Sequence, residues 1–123
     1  DYRDTLSGIR QRKMLTSSAS EAMKWERAAL YLSATFYMIR GDFNSAVEYL
    51  DRLMEAADPD EDPAMAAWPV LKKGMVWDLR GDRQKAVQIY NSVITMENGS
   101  GAQFLAMRYL KDLIRKGDPF IGY

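Results

Sequence analysis

Four carboxylates crowd the stretch "ADPDEDPAM", at Asp58, Asp60, Glu61 and Asp62. Oxygen donors at this density suit a hard cation such as calcium. A calcium loop of the EF-hand kind also needs a central glycine and a bidentate glutamate at its twelfth position. Here Pro59 and Pro63 interrupt the run instead, and the expected role is a solvated linker. Arg10, Arg12 and Lys13 form a small basic run that could touch phosphate or RNA, with a solvated helix end as the plainer reading. The chain has no histidine and no cysteine. The commonest general base and zinc ligand are therefore missing, as are thiolate nucleophiles and disulfides. Serines, lysines, tyrosines and carboxylates remain, but no spacing sets a nucleophile beside its base. No catalytic residue, metal ligand or cofactor is expected.

The tripeptide Arg-Gly-Asp occurs twice, in "IRGDFNSAV" (39–47) and "LRGDRQKAV" (79–87). On an exposed loop tip it could act as an adhesion signal, so its surroundings decide its meaning. Counting back from Gly41 and Gly81, an aromatic lies at −4 (Tyr37, Trp77), a small residue at −7 (Ala34, Gly74) and an aliphatic at −11 (Leu30, Val70). These spacings mark one face of a helix that each glycine closes. Counting forward, Ala46 and Ala86 stand at +5, Leu50 and Tyr90 at +9, and Leu53 and Val93 at +12, the face of a second helix. A glycine past a helix end takes the left-handed conformation that other residues resist, and an arginine there favours the negative dipole end. Asp42 and Asp82 then accept hydrogen bonds from the free amides of the next helix. Helix punctuation explains the tripeptide. A third echo, "IRKGDP", places Gly117 and Asp118 after another helix.

The elements follow from the same signals. Ser18 and Glu21 stand in capping-box spacing and predict a helix from about Ser20 to Arg40. Further helices are expected near 43–57, 64–80, 83–97 and 101–116, with Asp62 as N-cap and Pro63 at the first helical position of the third. Tyr2, Leu6 and Ile9 suggest a short helix at the start, and no stretch reads as a strand. The unit is helix, glycine turn, helix, recurring at a period of 40 residues.

This pattern resembles tetratricopeptide repeats. Leu30, Ala34, Tyr37, Gly41, Ala46 and Leu50 fit that family's motif in one copy; Val70, Gly74, Trp77, Gly81, Ala86 and Tyr90 fit it in the next. The chain departs from the family in its period of 40 rather than the usual 34, and in lacking the proline that closes the second helix. The resemblance implies an all-α fold, a right-handed superhelix of antiparallel helix pairs. Residues 1–19 would be an N-terminal segment, 20–58 and 64–98 two repeats, 59–63 an acidic linker, 101–117 a capping helix and 118–123 a tail. In such arrays the first helices line a concave groove. Its inward positions here would be Tyr31, Thr35, Met38, Leu71, Met75, Asp78, Met107, Arg108, Lys111 and Arg115. That groove, apolar at one end and cationic at the other, would hold a peptide carrying a carboxylate. Cover of Tyr31, Met38 and Met75 by the N-terminal segment or by missing flanking repeats is the competing reading.

Composition narrows the function classes. Lys+Arg and Asp+Glu number 17 each, so the formal charge is zero. That argues against bulk attraction to nucleic acid or anionic membrane. No apolar run approaches the roughly 20 residues of a membrane span, and no signal peptide is visible. The compartment, cytoplasmic or periplasmic, stays open. Asp1 stands where an initiator methionine would, so a longer or processed parent chain is expected. The eight methionines and three tryptophans read as packing residues rather than a cofactor pocket. The expected function is a non-catalytic scaffold segment of a larger, bacterial protein, binding a protein or peptide, with self-association through its repeat ends as a further route. A non-catalytic region of an enzyme and a nucleic-acid binder with basic ends are the alternatives.

Overall fold

The computed structural model describes residues 2–115, with side chains from Glu21 onward. Among the described residues the chain forms five helices and no strand: α1 (Tyr2–Ile39), α2 (Phe43–Ala56), α3 (Pro63–Leu79), α4 (Arg83–Ile94) and α5 (Ala102–Lys111). The chain is all-α, as its periodicity requires.

The two Arg-Gly-Asp stretches are three-residue turns built alike. Gly41 and Gly81 have φ of +82° and +91°. The Gly41 amide donates to the Met38 carbonyl at 3.1 Å and the Asp42 amide to Tyr37 at 2.9 Å; Gly81 and Asp82 donate to Asp78 and Trp77 at 3.0 and 2.9 Å. This double bond pattern satisfies the last carbonyls of α1 and α3 and needs a left-handed residue at the glycine. Each aspartate then caps the following helix, accepting from the amides of Ser45 at 3.2 Å and Lys85 at 3.1 Å. Asp62 caps α3 in the same way, with Pro63 at the first helical position. Gly117 and Asp118 lie outside the described residues, as does the tail expected over 118–123.

Three boundaries differ from expectation. α1 runs unbroken from Tyr2, so Ser18 and Glu21 sit within a helix and the short helix expected at Tyr2, Leu6 and Ile9 is its first turns. The stretch holds no proline, and the about 1 kcal/mol cost of Gly8 is too small to stop it. Arg10, Arg12 and Lys13 fall in this part of α1, where side chains lie outside the description. α4 ends at Ile94 rather than Glu97; the Thr95 hydroxyl donates to Ser92, and the Met96 amide to Val93. α5 ends at Lys111 rather than near Lys116, with Asp112 extended. Ile114 explains this. On a continued helix it would point about 120° away from the face of Ala102, Leu105, Ala106 and Tyr109. Leaving the helix lets it bury fully in the core.

Each helix packs on the next along the chain, and α3 also touches α1 and α5. The small residues predicted near each turn set the closest approaches: Ala34, Ala46 and Ala86 are fully buried. A Cβ added to Gly74 would lie 2.6 Å from the Tyr90 ring, so α3 meets α4 with no room for a methyl group. The equivalent aromatics take different partners. Tyr37 stacks on Tyr49 at 5.4 Å, whereas Trp77 lies beneath Arg80 and Lys85, 4.8 and 3.8 Å from its ring. Between helix pairs, Lys73 reaches Asp51 at 2.8 Å and Arg27 reaches Asp62 at 3.1 Å. Trp68 pins the α4–α5 loop by donating to the Ser100 carbonyl at 3.1 Å.

Candidate interaction surface

The positions expected to line a groove divide in two. Tyr31, Met38, Leu71, Met75 and Asp78 are buried, and Thr35 is partly so. They do not line an open surface, because α3 covers the inward face of α1 and α5 covers that of α3. Other helices of the same chain pack over them.

Their polar groups are used internally. Lys72, itself buried, donates to the Thr35 hydroxyl at 2.7 Å and lies 4.2 Å from the Tyr31 ring centre. Burial lowers its ammonium from 10.5 to about 8. The Asp78 carboxylate accepts from the Tyr90 hydroxyl and from Arg83 Nη1, both at 2.7 Å. Arg83 Nη2 continues to the carbonyls of Tyr109 and Leu110 at 2.7 and 2.9 Å, near the C-terminal end of α5. Burial above all, then the bond to Asp78, holds the Tyr90 hydroxyl protonated far above the usual tyrosine range. This network ties α3, α4 and α5 together. Asp78 and Tyr90 are buried within it, and Arg83 reaches them from a partly exposed position.

Met107, Arg108, Lys111 and Arg115 are exposed. The expected single cationic face does not form as drawn. Arg115 lies past the end of α5 and pairs with Asp112 at 3.2 Å, leaving Arg108 and Lys111 in the last helical turn. Phe104, 77% exposed, joins Met107 on this outer side.

A second surface was not among the expected site residues. On α1, Trp25, Leu32, Phe36 and Ile39 are 74%, 66%, 52% and 61% exposed. With Ala29 between them they follow one another at spacings of 4, 3, 4 and 3, one continuous stripe along a helix. Tyr31, Ala34 and Met38, which α1 buries, lie on the opposite side. The signal was present in the sequence. The inward face of the same helix is also apolar and masked it.

The acidic stretch is absorbed by structure. Asp58 accepts from the Asp60 amide at 2.9 Å, and Asp62 serves as N-cap and partner of Arg27. Among the described residues no three acidic side chains converge where a metal ion could sit, and no helix is long and apolar enough to cross a membrane. Compared with known proteins, the chain matches no family model, no curated protein and no solved structure.

Proposed function

We propose that this chain is a non-catalytic protein–protein interaction module, a tetratricopeptide-like array whose helix pairs stack into a right-handed superhelix within a larger bacterial protein. Two matched helix–Gly–Asp–helix units, and helices that pack mainly on their chain neighbours, support that reading. The observation that carries the function is the apolar stripe of α1, held in solvent beside a core that is closed without it. Burying a large apolar side chain gains about 1.5–3 kcal/mol, and a contiguous patch of them on one helix marks an interaction site. Binding therefore occurs on outward faces of the terminal helices, not in a groove between the first helices. At the far end, Phe104 and Met107 beside Arg108 and Lys111 form a second surface suited to an apolar segment carrying a carboxylate.

The test is capture of binding partners by the intact chain, with melting temperature measured on the same samples. Leu32→Glu/Phe36→Glu should lose capture, and Arg108→Glu/Lys111→Glu should weaken capture of acidic partners. Both pairs are exposed, so stability should move by less than about 1 kcal/mol. Undiminished capture by both double variants would sink the proposal.

A further inference from the structure

We propose that the stripe of α1 pairs with the same stripe of a second copy, antiparallel, about a two-fold axis near Ser33 and Ala34. The proposal rests on the interaction reading above and names the partner. In heptad terms Trp25, Leu32 and Ile39 occupy d positions, and Ala29 and Phe36 occupy a positions. An antiparallel pair alternates a against d. Leu32 then meets Phe36 of the second copy and Ala29 meets Ile39, each contact made twice. Small Ala29 opposite branched Ile39, and Leu32 opposite a ring, are complementary in volume.

Charge chooses both the partner and the direction. Glu26 and Arg40 hold the flanking e positions, both exposed. Arg40 already lies along the stripe, its guanidinium 5.2 Å from the Phe36 ring centre. In an antiparallel pair e faces e, so Glu26 of each copy meets Arg40 of the other. A parallel pair would instead set Glu21, at g, against Glu26 of the other copy, two like-charge contacts. The stripe points away from α2 and α3, which pack on the face holding Tyr31, Ala34 and Met38, so neither helix stands between the copies. In this register Trp25 lies opposite position 43 of the second copy, beyond the end of α1, so the apolar area comes from Leu32, Phe36 and Ile39, and pairing two copies buries less than the roughly 1,000 Å² of a stable specific interface. The dimer is accordingly weak and concentration-dependent.

Sedimentation equilibrium of the chain tests this across micromolar to millimolar concentrations. The wild-type mass should climb from 14.1 kDa toward twice that value. Leu32→Glu should remain monomeric, with helicity and melting temperature unchanged because Leu32 is exposed. Glu26→Arg alone and Arg40→Glu alone should each weaken dimerisation several-fold, since each sets like charges together twice. Glu26→Arg/Arg40→Glu should restore it to within about twofold. A wild-type mass fixed at 14.1 kDa throughout, or a double swap no better than its single parents, overturns the proposal. If the chain stays monomeric while Leu32→Glu still abolishes capture of another protein, self-pairing fails and the interaction reading stands.

Discussion

Lys72 carries a buried ammonium at a cost the fold must bear. Its ammonium is held at about 8 by burial, against 10.5 in the open. Between those values the unfolded chain binds the extra proton, so stability rises with pH there, and the penalty is fully present below pH 8. Tyr90 works the other way above pH 10, because the folded state keeps its hydroxyl protonated. Urea midpoints should therefore climb between pH 8 and 10 and fall beyond. Lys72→Met should flatten the climb and stabilise the chain near neutral pH by about 1–3 kcal/mol. A variant retaining the wild-type slope would assign the titration to another group. Asp78 presents the opposite case, a buried carboxylate with two partners. Asp78→Ala strands Arg83 and the Tyr90 hydroxyl and should cost about 3 kcal/mol. Tyr90→Phe, which leaves the ion pair whole, should cost only about 1 kcal/mol. Equal losses in denaturant titration would mean the carboxylate is not the hub.

At the scale of elements, contacts between helices are set by what is missing from their side chains. The methyl of Gly74→Ala would press on the Tyr90 ring, and that ring cannot swing aside while its hydroxyl is bonded to Asp78. A net cost of about 1–2 kcal/mol is expected, although alanine favours a helix interior. Ala46→Leu should cost about 1–3 kcal/mol by forcing α1 and α2 apart; an unchanged melting temperature would show that they do not meet there. Much at this scale was legible in advance. The turns at Gly41 and Gly81, the caps at Asp42, Asp62 and Asp82, and four helix starts within a residue of their positions all follow from local chemistry. The start of α1 was misplaced, because a capping box predicts a terminus only where the preceding residues cannot continue the helix. The end of α5 was misplaced because a distant core recruits Ile114.

The whole molecule is completed by its last helix. α5 and the segment after it bring Leu105, Ala106, Tyr109 and Ile114 into the same core as Leu71 and Met75 of α3, which α5 touches. Arg83 locks the end of α5 through two carbonyls. Ending the chain after Ser100 removes all of these and uncovers α3, so several large side chains lose about 1.5–3 kcal/mol each. The shortened chain should lose near-ultraviolet dichroism and bind hydrophobic dyes while keeping much of its helix signal. A cooperative unfolding transition at the wild-type midpoint would show that α5 is an ornament rather than a lid on the core.

Sequence alone determined the all-helical class, the punctuation of the chain and the buried alanines and glycine at each helix crossing. These depend on backbone conformation and on neighbours three to twelve residues away, and such preferences act wherever the chain finally lies. Which apolar face would be covered could not be read the same way. α1 carries Tyr31, Ala34 and Met38 on one side and Trp25, Leu32, Phe36 and Ile39 on the other, and both sides have helical spacing. Only the packing of α2 and α3 against α1 decided between them, burying the first set with Lys72 folded in beside Thr35 and leaving the second in water. A helix has two sides, and its sequence records the polarity of each but not the position of the neighbour that will claim one.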